Sequence, residues 1–300
     1  MLYLEESLDS ILSEEGQTLM GLSFLVSTLD LSMKRIELLF KKSAMEYSMR
    51  RPIKETRIFS GNPIVMPEGT LSVRAVRYGV LPELPKFYMP TFGDISYEFE
   101  RHTRILKVWP PIYPLKVTYN RMLTLTKDVD IDGSEQLDEG EDTFFAYLPC
   151  SPKDNSITVM KNGKSMVQVD AYEKKCQGEL GDEIERIIEL EGDLGSGTIN
   201  LATKEMELTL DDTSEGELTF NYTPAYLTIV EIGLEDYVFN KLFASKILEA
   251  LASLRAQATQ DVLHNIDLTT DDLYARVREL KRELRTLLRN TISFSSMANT

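Results

Sequence analysis

The pattern of hydrophobic and polar positions divides the chain into helical ends and a β-rich middle. A helix is predicted from about Leu31 to Met49, because apolar or small residues recur there at spacings of three and four. These positions are Ile36, Leu39, Phe40, Ser43, Ala44 and Tyr47. Pro52 ends the helix, since the residue before a proline disfavours the helical conformation. A shorter helix is predicted earlier, over Glu5–Leu12.

Short runs of β-branched and aromatic residues between Thr56 and Val230 predict strands separated by turns. The predicted strands are Arg57–Phe59, Ser72–Tyr78, Ser96–Phe99, Ile105–Val108, Leu115–Leu125, Phe144–Tyr147 and Ile157–Met160. Asn162-Gly163 lies between two extended runs, which predicts a tight hairpin. Alternation on both sides of an Ala202–Lys204 turn predicts two more paired strands.

The chain returns to a helical pattern at about Leu234, and one apolar face continues to Ala258. After a loop at Asp261–Thr270, either of two threonines, Thr269 or Thr270, can cap the last helix. Carboxylates in the first turn of that helix suit the positive end of its dipole. Its apolar positions alternate spacings of four and three, which predicts a seam for packing against another helix. They are Leu273, Val277, Leu280, Leu284 and Leu287.

These elements together predict an α+β fold in which helical ends form one layer and a large antiparallel β region, a small sandwich or barrel, is inserted between them. The expected divisions are a helical layer of 1–55 and 234–290, a first β region of 56–127, an acidic connector at 128–142, a second β module at 143–233 and a polar tail at 291–300.

Composition places the chain among ordinary globular proteins, with 42% hydrophobic and 27% charged residues in 300. The net charge of -15 argues against a protein whose general surface grips nucleic acid, because phosphate binding needs clustered Lys and Arg. The same charge is compatible with DNA that slides past without sticking, but the favoured interpretation is that it only keeps the protein soluble.

Features of targeting and compartment point to synthesis in a cytosol. The N-terminal MLYLEESLDSILSEEG carries acids where a secretion signal would carry bases. No apolar run approaches the roughly 18 residues that a membrane helix needs, so no membrane partner is expected. The two cysteines, Cys150 and Cys176, form neither a disulfide framework nor a zinc motif, which fits a reducing compartment.

Candidate catalytic groups are few, and we expect no enzyme activity, no cofactor and no metal. The two histidines, His102 and His264, lie in polar segments between predicted elements, where a solvated side chain is the usual state. Neither cysteine has the local setting of a known nucleophile. The GSG string at Gly195–Gly197 lacks the Lys-Ser/Thr and the helix of a phosphate-binding loop.

The acidic stretch Asp128–Asp142 raises the question of a cation site. DVDIDG at Asp128–Gly133 matches the first half of an EF-hand loop, and Glu139 occupies its twelfth position. The flanking helices of an EF-hand are missing from the pattern, however, so a solvated acidic turn is the favoured interpretation.

Aromatic residues crowd the proline-rich region around WPPIYP at Trp109–Pro114, which the missing backbone donors predict to be a loop or an edge. They are Tyr78, Phe87, Tyr88, Phe92, Tyr97, Trp109 and Tyr113. Such a group can serve as a stacking platform for a nucleic acid strand. The favoured interpretation is a core and subunit interface, where aromatic residues concentrate.

The last helix is the most basic element of an acidic chain, and it is followed by the tail ISFSSMANT. The interface candidates are Arg276, Arg278, Arg282, Arg285, Arg289 and Phe294, with Lys281 among the neighbouring bases. Such a reversal of sign favours contact with an acidic partner. We therefore expect Asp271–Thr300 to dock on a neighbouring protein, the alternative being a solvated helix with a loose end.

Several segments resemble the neck proteins of tailed phages, the head-to-tail adaptors or head-completion proteins that bind beneath the portal. The first is IELLFKKSAMEYSMRRPI (Ile36–Ile53), an amphipathic helix that ends in a Tyr-Ser-x-x-Arg-Pro string. The second is the closing helix pair, Tyr237–Ala258 and Asp271–Leu288. The segment Gly197–Pro224 is similar to a β module of phage tail, neck and baseplate proteins. Small adaptors are nearly all helical, and the large β region departs from that pattern.

The resemblance implies a structural virion protein, made in the host cytoplasm and located in the neck. It implies a homo-oligomeric ring, commonly of twelve subunits, between the portal protein and the tail or tail-terminator protein. Genomic DNA would pass through its lumen without sequence-specific binding. The alternatives are a baseplate or tail protein that does not enclose DNA, and a carbohydrate-active virion enzyme, which would need paired carboxylates in a cleft.

Overall fold

The computed structural model describes residues 1–29, 31–78, 95–109, 114–178, 181–231, 235–258 and 268–297, excepting the side chains at 24, 28, 78, 176–178, 181–184 and 289–297. The helices are α1 (Leu4–Thr18), α2 (Leu22–Thr28), α3 (Met33–Arg50), α4 (Asp236–Gln257) and α5 (Thr270–Met297). The strands are β1 (Leu2–Tyr3), β2 (Ile53–Phe59), β3 (Ile64–Val65), β4 (Thr70–Tyr78), β5 (Ser96–Glu100), β6 (Ile105–Trp109), β7 (Leu115–Arg121), β8 (Leu125–Thr126), β9 (Ile131–Leu137), β10 (Thr143–Tyr147), β11 (Thr158–Lys161), β12 (Lys164–Gly178), β13 (Gly181–Gly192), β14 (Gly195–Asn200), β15 (Glu205–Leu210), β16 (Gly216–Tyr222) and β17 (Thr228–Ile229). A mixed α and β fold with a large antiparallel sheet is thus confirmed.

The chain divides into two compact units, each assembled from separate stretches of sequence. One unit, here called the half-barrel unit, comprises Met1–Met33, Leu125–Ile232 and Asn265–Leu268. The other, the helical unit, comprises Lys34–Thr124, Gly233–His264 and Thr269–Thr300.

Eight antiparallel strands form the half-barrel, in the order β10-β15-β14-β13-β12-β11-β16-β9. The core inside it follows from strict alternation along the strands. In β15, for example, Met206, Leu208 and Leu210 are buried, while the residues between them face outward. Residues from all eight strands contribute to this core, which is why the sheet curls around it.

Helices α1 and α2 belong to the half-barrel unit, whereas α3 belongs almost entirely to the helical unit. The expected layer uniting 1–55 with 234–290 is therefore not confirmed. The reason is a set of long-range contacts. Glu5 in α1 accepts hydrogen bonds from the backbone N and the Oγ of Ser151, both at 2.6 Å. Asp9 pairs with Lys204 at 2.5 Å. Strand β1 also pairs with β17, which in turn pairs with β8.

A long hairpin, β12–β13, extends beyond its neighbours in the sheet. Residues 170–178 pair with 181–189, but β11 pairs with β12 only as far as Val167, and β14 pairs with β13 only from Ile187 onward. The outer part is therefore a two-stranded ribbon. The sequence pattern predicts the turn at Asn162-Gly163 that precedes β12, but not the ribbon, because charged residues interrupt the apolar alternation of the ribbon strands.

The turn before this hairpin is as predicted. Asn162 and Gly163 connect β11 to β12 with φ of 51° and 80°, and Lys161 pairs with Lys164. Positive φ at both central residues is the requirement of a type I′ turn, which Asn-Gly satisfies at low cost.

Two three-stranded sheets, β2-β7-β4 and β3-β6-β5, share one core in the helical unit. Leu106 and Val108 from β6 are buried with Val117 and Tyr119 from β7. The β structure is therefore distributed over both units and is not one inserted module.

Three helices of the helical unit, α3, α4 and α5, pack together. Phe40 meets Phe239 and Phe243 edge-on at centroid distances of 5.1 and 5.2 Å. Ser48, near the end of α3, links this cluster to the adjacent strands, since its Oγ accepts a 2.9 Å hydrogen bond from the backbone N of Leu123.

Three predicted boundaries need correction. The expected acidic connector contains strand β9, because Ile131 and Leu137 are buried at its ends and pair with Tyr222 and Gly216 of β16. The expected strand Leu115–Leu125 is two strands, β7 and β8, which lie in different sheets. The expected irregular tail continues α5 to Met297, since no proline or glycine interrupts it there.

Across the described ranges, no helix combines the length and the apolar character that crossing a membrane requires.

Candidate functional site

Helix α5 carries all six interface candidates, and a capping box forms its N-terminus. The backbone N of Thr269 donates to Asp272 Oδ2 at 2.9 Å, and the backbone N of Asp272 donates to Thr269 Oγ1 at 3.2 Å. These bonds satisfy donors that the first turn leaves unpaired. The hydrogen bonds from Thr269 hold the pKa of Asp272 below its ordinary value.

The apolar seam of α5 is buried at four of its five predicted positions, and the fifth, Leu287, is half-buried. Leu273, Val277, Leu280 and Leu284 are at most 3% exposed. Ion pairs flank the seam: Lys241 of α4 pairs with Glu283 at 2.5 Å, and Glu249 of α4 pairs with Lys281. One face of α5 is therefore fixed against α4. The rotation of α5 about its own axis is thereby set, and it determines which α5 side chains face solvent.

Three arginines, Arg278, Arg282 and Arg285, form a stripe on the solvent-facing side of α5, away from the seam. We call them the arginine stripe. Their spacings of four and three place them on one face of the helix. All three are exposed, and none makes an ion pair within the described part of the chain. The stripe is thus a row of free positive charges on a chain of net charge -15.

The remaining candidates differ from the arginine stripe. Arg276 is only 17% exposed and pairs with Glu279 at 3.0 Å and Glu283 at 3.8 Å, so its charge is already compensated. Arg289 and Phe294 lie in the last turns of α5, and their side chains are outside the described set.

The segments around α3 and α4 are joined by polar as well as aromatic contacts. Arg51, just after α3, pairs with Glu235, just before α4, and donates through Nη2 to the backbone O of Leu287 in α5 at 3.2 Å. Glu46 of α3 pairs with Lys246 of α4 at 2.9 Å. All three helices are therefore cross-connected at the end where the Tyr-Ser-x-x-Arg-Pro string leaves α3.

A second surface, which sequence reasoning did not single out, is the outer face of the half-barrel. Cross-strand register aligns Glu189 of β13 with Thr198 of β14 and Glu207 of β15. Glu191 lies two residues further along β13 on the same face. We call Glu189, Glu191 and Glu207 the acidic face. Alternation in β13 and β15 signals outward carboxylates, but only the strand order shows that they share a surface.

Apolar side chains adjoin the acidic face. Val167 of β12 is opposite Glu191, and it is 46% exposed. Val169 on the same strand and Met160 on β11 are exposed to a similar degree. Exposed apolar groups rimmed by charge are typical of protein-protein contacts.

The histidines and cysteines do not assemble into a reactive group in the described part of the chain. His102 is exposed in the turn between β5 and β6, and His264 lies outside the described residues. Cys150 is buried, and burial raises the pKa of its thiol to about 12, so it stays protonated at neutral pH. Cys176 lies in β12, and its side chain is not among those described.

The acidic stretch does not form an EF-hand loop. Asp132 and Gly133 lie within β9, and the Asp132 carboxylate accepts a hydrogen bond from the Asn221 side chain. Among the described residues, no group of three or more His, Cys, Asp or Glu side chains is arranged to hold a metal ion.

The predicted aromatic group is only partly described. Phe87, Tyr88, Phe92 and Tyr113 lie outside the described residues, as does the side chain of Tyr78. Tyr97 is paired with Val108, and Trp109 is paired with Ser96, so these two exposed rings are on opposite faces of the β5–β6 pair. They do not form a common stacking platform.

Comparison with known proteins identifies no relative: no family model, no curated protein and no solved structure matches this chain.

Proposed function

We propose that this chain is a structural virion protein of a tailed phage that forms a ring in the neck. One observation carries the proposal. The separate segments that resemble neck adaptors, Ile36–Ile53 and the closing helix pair, pack together as the helices of one unit. A resemblance of scattered segments gains weight when the segments form one packed cluster.

The contacts within this cluster use the residues of the resemblance itself. Phe40 and Tyr47 from the first segment pack on Phe239 from the second, at 5.1 and 6.1 Å. Arg51 of the Arg-Pro string pairs with Glu235, the residue before α4, and donates to the backbone O of Leu287 in α5.

The net charge is compatible with a ring through which DNA passes. A chain of net charge -15 repels the DNA backbone, so genomic DNA would cross an acidic lumen without sequence-specific binding. The proposed partners above and below the ring are the portal protein and a tail or tail-terminator protein. In this account the protein is made in the host cytoplasm and acts in the virion neck, with a ring of twelve subunits.

No catalysis is required for this role. We therefore expect His102→Ala and His264→Ala variants to assemble as the unchanged protein does.

A second candidate is a baseplate or tail protein that does not enclose DNA. The observation in its favour is that Gly197–Pro224, similar to a β module of such proteins, forms most of β14 together with β15 and β16 of the half-barrel.

Negative-stain electron microscopy of the purified full chain tests the proposal. We expect ring-shaped particles with a central opening that admits a DNA duplex. Elongated monomers or compact trimers over the full range of accessible concentrations would contradict the neck role and favour the baseplate or tail role.

A further inference from the structure

We propose that the arginine stripe of one copy docks on the acidic face of the next copy. The inference rests on the proposed ring and names the contact that would build it. The partner of the exposed face of α5 is a second copy of this chain.

The basic side of the contact has a fixed spacing. Arg278 and Arg282 are one helical turn apart, about 6 Å along the axis, and Arg285 is about 10.5 Å from Arg278. Tyr274, one turn before Arg278 on the same face, is exposed and extends the stripe with an aromatic ring. Tyr and Arg are the residue types that dominate binding energy at protein interfaces.

The acidic side has matching spacings. Glu189 and Glu191 are separated by two residues of one strand, about 6.8 Å. Glu189 and Glu207 are separated by two strand-to-strand steps, about 9.6 Å. The two steps are perpendicular, so Glu191 and Glu207 are about 12 Å apart on the diagonal, close to the roughly 10.5 Å between Arg278 and Arg285. A helix laid along that diagonal can therefore place its two outer arginines opposite Glu191 and Glu207, with Glu189 beside the line.

Apolar contact supplies affinity that the ion pairs alone do not. Surface ion pairs contribute little to affinity, whereas exposed apolar and aromatic groups contribute through burial. Val167 lies opposite Glu191, Val169 lines the same surface hollow as Glu191, and Tyr274 is one helical turn from Arg278. The charges then set orientation and partner choice, and these apolar groups provide the buried centre.

Charge and symmetry identify the partner as a second copy of this chain. The arginine stripe is exposed on the helical unit, and on the half-barrel unit Glu191 and Glu207 are exposed and Glu189 is half-buried. A net charge of -15 opposes general self-association, and the arginine stripe is a surface at which an acidic face of another copy meets attraction. A contact between two different patches of identical chains is heterologous, and repeating it generates a closed ring or an open filament.

Charge reversal on the full-length protein tests the contact, with particle mass measured by light scattering after size exclusion. One variant carries Arg278→Glu, Arg282→Glu and Arg285→Glu. A second carries Glu189→Arg, Glu191→Arg and Glu207→Arg, and a third combines both sets. Each reversed set should weaken self-association on the order of 100-fold, because like charges then face each other, and the combination should restore it.

A matched control replaces the same three arginines by lysine, which keeps the charge. It should assemble with at most about tenfold weaker association, since exposed pairs depend mainly on charge. All substituted positions are exposed or half-buried on outer faces, and circular dichroism during heating verifies that each variant folds.

The outcomes separate this contact from the proposed ring. Rings that survive both reversals would overturn the contact and leave the neck role standing. Loss of assembly in each set without restoration in the combination would also overturn the contact, since the two surfaces would then have different partners. Restored open filaments would support the contact and contradict the ring. A wild-type chain that stays monomeric would overturn both.

Discussion

The ring of Phe40 in α3 meets the ring of Phe239 in α4 edge-on, at 5.1 Å between centroids and an interplanar angle of 74°. Both side chains are fully buried, and they come from segments far apart in the sequence. Edge-to-face pairs contribute beyond the area they bury. This pair holds together the helical cluster on which the proposed function rests.

Phe40→Ala should therefore lower the free energy of unfolding of the helical unit by about 3–5 kcal/mol, through lost burial and the cavity left between α3 and α4. Urea unfolding followed by circular dichroism measures the change. Phe40→Leu, which keeps most of the apolar volume, serves as the control and should cost less. A loss below about 1 kcal/mol for the alanine variant would show that the two helices do not depend on this packing.

Gly192 at the end of β13 tests the register of the half-barrel. A Cβ added there would lie 2.0 Å from the backbone O of Ser165 and 2.9 Å from the Cα of Met166. Because both are backbone atoms, neither can swing aside, and Gly192→Ala should destabilise the protein by about 1–3 kcal/mol.

Gly16 in α1 provides the comparison for that substitution. An added Cβ meets nothing within 4 Å there, so Gly16→Ala should stabilise α1 by up to about 1 kcal/mol through helix propensity. Equal melting temperatures for the two alanine variants would show that the β12–β13 register is different from the one described.

Asp212 gives a prediction about pH. Hydrogen bonds from the hydroxyl and amide of Ser214, with Lys164 3.2 Å away, lower the pKa of Asp212 to about 2. A carboxylate whose pKa is lower in the folded state stabilises the fold above its unfolded value, near 3.9, and loses that contribution as pH falls towards 2.

Urea unfolding at pH 5, 4 and 3 should accordingly show Asp212→Asn less stable than the wild type at pH 5, with the difference shrinking at each lower pH. Ser214→Ala keeps the Asp212 carboxylate but removes the hydroxyl that donates to it. The stability difference from the wild type should therefore be smaller, and it should shrink with pH in the same way. A difference that stays constant from pH 5 to 3 would refute the assigned cause.

Cys150 gives a prediction about reactivity. Its thiol is buried, donates weakly to Tyr222 at 3.9 Å, and has a pKa raised to about 12 by burial. In a Cys176→Ser background, iodoacetamide at pH 8 should leave the folded protein unlabelled and label it after unfolding in urea, as read by mass spectrometry. Rapid labelling of the folded protein would mean that the site is open and the thiol reactive.

The sequence predicts local elements well where apolar periodicity is uninterrupted. The α5 seam, the strands around Val108 and Val117 and the turn at Asn162-Gly163 all follow from local spacing. The assignment of α1 to the half-barrel unit does not, because the bonds of Glu5 to Ser151 join residues distant in sequence. Periodicity specifies which face of a helix is buried, but not its partner.

The candidate site likewise has features that local spacing predicts and features that only long-range contacts determine. Spacing alone places Arg278, Arg282 and Arg285 on one face of α5. That Arg276 is already paired depends on Glu279 and Glu283, and on how α5 is rotated against α4. The acidic face depends on a strand order in which Glu189 and Glu207 are brought together by β14, and no local pattern encodes that order.

Native mass spectrometry of the purified full chain, over a range of concentrations, tests the central claim of ring formation most directly. Twelve chains of 34.2 kDa give a mass of about 410 kDa, and a closed ring should appear as one dominant species whose subunit count does not change with concentration. A monomer, a trimer or a continuous ladder of masses that grows with concentration would contradict the account.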